Sequence, residues 1–359
     1  MNRDVLLKIL DLARWAPSGD NTQPWRFEIV SDHHIAIHGH DTREHVLYDF
    51  DGHASQMAHG ALLQTIELAA SRFGLHSEWL LRPGTPEALP IYDVRLEPAR
   101  IDESPLTAFI ETRCVQRRPM RTTPLNAQQK KAFVDAVGKN CKLQFFESFE
   151  ERMAVARLLW KNAYLRLTCP EAYPTHRDII EWDTRFSTDR IPAQAIGVDP
   201  LTAKLMRWVM QSWERVDFFN RYLMGTFTPR VQLDFLPAIR CASHILMRPN
   251  EALRTPPDYV CAGMALQRLW LTATSLGLYL QPEMTPVIFR WYVQANRSIS
   301  ALPSIDRGAE NLANEFNQLA RSESDDDFSF FCRVGHSRLP TARSVRMDLS
   351  DLMKALPSP

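Results

Sequence analysis

The 359-residue sequence predicts an α+β fold of two related modules fused in one chain, with a helical insert in the second. Three observations carry this. A helix-length segment occurs twice, alternating strand-like segments accompany each copy, and residues 150–235 match neither pattern.

The repeat is gapless. His59–Leu75 aligns on Ala262–Leu278, with identities at Gly60/Gly263, Leu63/Leu266, Gln64/Gln267, Leu68/Leu271, Ala70/Ala273, Gly74/Gly277 and Leu75/Leu278. A terminal glycine is ordinary helix grammar. A mid-helix Gly followed four residues later by Gln, twice, points instead to duplication.

The elements follow in order. Val5, Leu6, Ile9, Leu10 and Ala13 have helical spacing. Pro17, Gly19 and Pro24 break that helix before a strand at Arg26–Val30. A long helix covers Gln56–Phe73, and Ile91–Glu97 alternates as a strand. Pro98–Pro105 is the natural boundary, giving modules 1–104 and 105–359. In the second module Asn126 is positioned as an N-cap and Leu143–Phe146 as a strand. Residues 150–235 read as helical, rich in aromatics and arginine, and broken at Ile191-Pro192 and Val198-Asp199-Pro200. An apolar strand at Leu236–Met247, a buried helix at Tyr259–Leu276, an acidic turn at Ser322–Asp327 and a strand at Phe328–Val334 complete the chain.

Composition narrows the function. Lys+Arg and Asp+Glu both number 42, which gives no electrostatic reason to expect nucleic acid or an anionic membrane as partner. No apolar run approaches the roughly 20 residues of a membrane helix, and Met1–Leu10 lacks the apolar region of a signal peptide. Cysteines 114, 141, 169, 241, 261 and 332 are scattered without a CxxC, which suits a reducing, cytoplasmic setting. His33, His34, His38 and His40 suggest a polar strand face rather than a metal site.

The strongest local signal is Ala13–Phe27. A helix ends, a loop of small and amide side chains follows, and a strand begins. Such a loop offers backbone N–H groups and both faces of an amide, the mixture that a flavin pyrimidine edge requires. Ala16, Pro17, Ser18, Asn21, Gln23, Pro24 and Trp25 resemble the A-P-S-x-x-N-x-Q-P-W signature of the FMN-dependent nitroreductases. The resemblance is strong over residues 5–30 and absent over 150–235.

It implies further site residues. Family members carry arginines before the first helix of the module, where they hold the FMN phosphate. Arg113 and Arg117 stand at that place in module 2, with Val115 replacing the family's hydroxyl residue. Gln281, Pro282 and Glu283 resemble the segment running along the flavin, and Arg343 and Arg346 the C-terminal basic position. Module 1 has no room for the arginines, and module 2 has only Gly138–Cys141 where the A-P-S loop should be. Nitroreductases are typically dimers with the flavin across the interface, so a fused pseudo-dimer implies one composite FMN site. No dinucleotide-binding glycine motif occurs, so NADH or NADPH would bind only transiently.

The resemblance therefore implies an FMN-binding oxidoreductase acting through flavin N5 on a small or tethered organic substrate, as a monomer or dimer. The alternatives are a flavin-sequestering protein and an accessory module of an adenylating biosynthetic enzyme. No catalytic acid or base is assigned; Asp20 and Glu283 are candidates only by their proximity to the motifs. The insert is expected to form a lid over the flavin, the alternative being that it packs within the pseudo-dimer interface, with Trp160, Tyr164, Trp182, Phe186, Trp208, Trp213, Phe218 and Phe219 mostly as its own core.

Overall fold

The computed structural model describes residues 3–323 and 325–354. Met1, Asn2 and Ser324, which belong to the opening segment and the acidic turn, lie outside them, as do residues 355–359.

The first module runs α1 (Arg3–Ala13), β1 (Trp25–Ser31), β2 (His34–Gly39), α2 (His53–Ser71), β3 (Leu75–Leu81) and β4 (Ile91–Pro98). The second opens with α3 (Ala127–Val137), β5 (Cys141–Phe146) and α4 (Phe149–Thr168). Short elements follow: α5 (Tyr173–Asp178), β6 (Ile180–Glu181), β7 (Phe186–Ser187), β8 (Ile191–Pro192), α6 (Pro200–Val209), α7 (Trp213–Tyr222) and the turns α8 (Phe227–Pro229) and α9 (Leu236–Ile239). Then come β9 (Ser243–Pro249), α10 (Pro256–Ser275), β10 (Tyr279–Pro282), α11 (Thr285–Gln294), α12 (Pro303–Ala320), β11 (Phe330–Gly335), β12 (Arg343–Ser344) and α13 (Leu349–Leu352).

Two antiparallel sheets of four strands result. Their orders are β1-β2-β4-β3 and β5-β9-β11-β10, so each strand of one has a topological counterpart in the other. The counterparts differ in what joins them. Ser31 pairs with His34 across a two-residue hairpin, whereas residues 147–242 separate β5 from β9.

Each sheet covers its own core. The first gathers Leu6, Ile9 and Leu10 of α1, Trp25 and Phe27 of β1, and Tyr92, Val94 and Leu96 of β4. The second gathers Phe133 of α3, Ile245 and Met247 of β9, Trp270 of α10, and Phe316, Phe328 and Phe331. The cores are joined by exchange: Met57 of α2 packs in the second and Val260 of α10 in the first.

That exchange explains the repeated glycines. A Cβ on Gly60 would stand 1.9 Å from the carbonyl oxygen of Val260, and one on Gly263 2.0 Å from that of Met57. No side chain fits, so α2 and α10 touch backbone to backbone. Past the crossing, Gln267 Nε2 donates to Thr65 Oγ1 at 2.9 Å, and Arg268 bonds Gln64, the repeat partner of Gln267.

Several expectations change. Asn126 is the expected N-cap, closing a capping box with Gln129. Leu236–Met247 is not one strand. Pro237 lacks an N–H and sits in the first turn of α9, and the ladder begins only at Ser243. The insert is not separable at residue 150, because Val155, Ala156, Leu158 and Leu159 of α4 belong to the second core. β3, α11 and α12 were not expected from periodicity. Of the histidines, His34 pairs with Asp93 and His38 with Glu28, partners on neighbouring strands.

Candidate functional site

A cavity of about 420 Å³ lies at the meeting of the modules. α2 lines it with Met57, Ala58 and Ala61, and α10 with Leu266 and Trp270. The insert supplies Leu159, Asn162, Arg166, His176, Ile179, Ile180, Ile191, Ile196, Leu233 and Asp234. None of the eight aromatics singled out in that stretch lines it; Trp160, for instance, stacks under Arg230 at 3.7 Å. A smaller cavity of about 70 Å³ shares Pro17, Ser18, Asp20, Val115, Arg117, Ile191 and Trp270 as walls.

The Pro17–Gln23 loop is held in a costly conformation. Asp20, Asn21 and Gln23 have φ of 48°, 67° and 48°, a region unfavourable to side-chain-bearing residues. Distant segments hold it there. Asn21 Nδ2 donates to the carbonyls of Thr188 and Val345 at 3.0 and 3.1 Å, and Gln23 Nε2 to that of Thr188 at 2.8 Å. Met347 N–H donates to Gln23 Oε1 at 2.9 Å. Gln23 thus lines neither cavity and is spent on fixing the loop. Pro17 and Ser18 line both cavities, and Asn21 the smaller one, with its Oδ1 buried and without a partner.

The predicted arginines converge. Arg113, Arg117, Arg343 and Arg346 all line the small cavity. Their recorded bonds go to main-chain carbonyls: Arg113 to Trp15, Arg343 to Glu111, and Arg346 to Ala16. Arg113 Nε is buried without a partner. Burial pushes Arg113 and Arg117 down to about 10. Arg346 is lowered by burial and by the charges of Arg113, Arg343 and Arg14. A bound anion would relieve this mutual repulsion, and guanidinium forks suit phosphate.

Gln281, Pro282 and Glu283 line the large cavity, placed by β10, and Val115 bridges Leu280 to bring the arginine segment alongside. Gln281 Oε1 is buried without a partner. Glu283 is buried between His244 Nδ1 at 2.7 Å and Arg333 Nη1 at 2.8 Å.

Sequence reading missed the polar wall supplied by the insert. Asn162 is 2% exposed, and its Oδ1 has no hydrogen-bond partner. Arg166, one turn on, bonds Asp234 at 3.2 Å through Nη2 and leaves a buried Nε unpaired. Burial raises Asp20 and Asp234, opposed by Arg117 and Arg166 at the first and by Arg166 and Arg333 at the second. His176 is lowered to about 3 by burial and by Arg166, and its Nε2 lies 2.7 Å from the Tyr48 hydroxyl. Only the i, i+4 spacing of Asn162 and Arg166 could have flagged this wall.

The loop that closes both cavities lies in a segment with a known pattern. Residues 1–51 match the nitroreductase family. No curated protein matches the chain. Among solved structures it is similar to an iodotyrosine deiodinase bound to FMN and 3-iodo-L-tyrosine, at 10% identity over 68% of this chain and 95% of that one, with a TM-score of 0.37. It is similar to the FMN-dependent nitroreductase NfnB of Mycobacterium smegmatis in complex with NADPH, at 14% identity, covering 69% and 96%, with a TM-score of 0.36. A nitroreductase with bound FMN from Desulfitobacterium hafniense DCB-2 aligns at 14% identity over 70% and 97%, with a TM-score of 0.36. The matched segment contains α1, the strained loop and the first hairpin, while the cavity's arginines and polar wall come from later in the chain.

Proposed function

We propose that the chain is an FMN-dependent oxidoreductase of nitroreductase type, a fused duplication holding one flavin in the joint cavity. The observation that carries this is the convergence of Arg113, Arg117, Arg343 and Arg346 beside the Pro17–Asn21 loop, on a cavity lined by both repeat helices. The four arginines would hold the phosphate. Asn162 and Arg166 would read the imide edge, because an unspent amide beside an unpaired guanidinium N–H complements a group that both donates and accepts.

Bound FMN would supply hydride and electron transfer at N5. The protein's own part is orientation, exclusion of water by Met57, Ala61, Leu266 and the insert's isoleucines, and a fixed field from the buried ion pairs. NADH or NADPH is the proposed reductant and a small or tethered organic molecule the proposed substrate. The six cysteines are all unpaired, which supports a reducing setting such as the cytoplasm.

A sequestering role is favoured by one observation, the contribution of Ile179, Ile180, Ile191, Ile196 and Leu233 from the insert to the cavity wall. Anaerobic addition of NADH or NADPH to the FMN-loaded protein separates the readings. Bleaching at about 450 nm is expected of the oxidoreductase. Colour that persists with both nucleotides but yields to dithionite marks a sequestering protein, and failure to take up FMN overturns both.

A further inference from the structure

His244, on β9, is completely buried and takes no part in lining the cavity. Its cross-strand neighbour on β11 is Arg333, and both bear on Glu283, just past β10. Both ring nitrogens of His244 face acceptors: Nε2 lies 2.9 Å from the carbonyl oxygen of Ala238, and Nδ1 2.7 Å from Glu283 Oε2. A carbonyl cannot donate, so Nε2 must carry a proton. Nδ1 must carry one too unless Glu283 is itself protonated. The other oxygen of Glu283 accepts from Arg333 Nη1 at 2.8 Å, and a guanidinium on a carboxylate favours the ionised form.

We infer that His244 is a standing imidazolium whose charge, passed through Glu283 and Arg333 to the cavity wall, raises the reduction potential of the flavin bound there. One carboxylate against an imidazolium and a guanidinium leaves the trio a single net positive charge, in surroundings that screen it poorly.

The other groups facing the trio do not cancel it. Cys241 donates its thiol to the Ala238 carbonyl at 3.3 Å, and burial pushes the Cys332 thiol far up, toward its neutral form. Asp234 is paired with Arg166 at 3.2 Å, so its charge is offset within that pair. Arg117 meets the trio through its main-chain oxygen, which accepts from Arg333 Nη2 at 2.8 Å. The Phe331 ring stacks on His244 with centroids 5.8 Å apart. Burial works against the charge on His244, and the Glu283 carboxylate bonded to its Nδ1 works for it. His244 is therefore a positioning residue, acting on the flavin through Glu283.

The inference rests on the FMN reading, and the test separates the two. Ring-nitrogen chemical shifts of 15N-histidine-labelled protein, with or without flavin, should show both His244 nitrogens protonated from about pH 6 to pH 8.5. A neutral-tautomer signature near pH 7.5 overturns the inference whether or not FMN binds. Spectroelectrochemistry on the loaded protein reads the second arm. His244→Gln, which keeps a donor to Glu283 without the charge, should shift the two-electron equilibrium toward oxidised flavin at least tenfold, about 30 mV. His244→Lys should restore most of that shift. An unchanged potential in His244→Gln overturns the inference. If that variant fails to fold, the nitrogen shifts of the wild type still decide. Absence of bound FMN counts against the function proposed above, not against the imidazolium.

Discussion

The two sheets share one strand order and differ in their connections. In the first module β1–β2 and β3–β4 are joined by hairpins; in the second, residues 147–242 and 283–329 fill the same gaps. The lean module contributes the Pro17–Asn21 loop and a face of α2 to the cavity, and the elaborated one contributes arginines, the β10 segment and the insert's walls. Both halves share the glycine crossing and the sheet order. What surrounds the cavity differs between them, as the proposed single joint site, needing one copy of each part, would allow.

The crossing is where the equivalence of the halves can be broken most severely. Gly60→Ala and Gly263→Ala should each destabilise by about 3 kcal/mol, since backbones in contact must part to admit a methyl group. Urea unfolding should give similar losses for the two. A strongly unequal pair would show that the helices do not play matching roles.

Next in size is the proposed phosphate end, whose four arginines all come from the second module. Arg113→Ala combined with Arg346→Ala should weaken FMN by about 3–6 kcal/mol, at about 1.5–3 kcal/mol for each charge-assisted bond. Riboflavin should bind wild type and variant alike by fluorescence titration. Equal weakening of both ligands would mean that the arginines support the loop rather than the phosphate.

The elaboration can also be trimmed. Deletion from residue 150 should abolish folding, because α4 is part of the second core. Removal of residues 200–224 should leave the fold and its FMN intact, since α6 and α7 bury no residue fully and expose Leu201, Leu205, Trp208, Phe218 and Tyr222. Soluble yield and circular dichroism would show both outcomes.

These cases show what was legible. The repeat could be read because α2 and α10 are contiguous, and a close crossing leaves glycine as its mark. The A-P-S loop could be read because its pattern is contiguous in sequence, although distant segments hold it and Gln23 bonds Thr188 and Met347. Arg113, Arg117, Arg343 and Arg346 were found from the family pattern and lie together only in three dimensions. Asn162, Arg166, Asp234 and His244 were invisible, because a single polar residue in an apolar helix or strand looks the same whether it faces a cavity or a core partner. Leu236–Ile239 was misread because an apolar run has no period of its own, and Pro237 decided for a helical turn.

The smallest expected effect lies in the lean sheet, whose half-buried polar pairs have no counterpart in the buried trio of the other. Asp93 is held down at about 2 by its bond to Arg82, against burial and with help from His34. Its folded pKa lies below its unfolded one, so its stabilisation is complete above about pH 4 and is lost as pH falls through about 2. Asp93→Asn should cost less than about 1 kcal/mol at pH 7 and only a small part of that at pH 2, by thermal melts at the two pH values.

The account rests on one composite site shared by two unlike halves, and flavin stoichiometry tests it most directly. Protein saturated with FMN, freed of excess and then denatured should release one FMN per chain, as quantified by absorbance against protein mass. Two per chain would mean that each module carries its own site and would contradict the account.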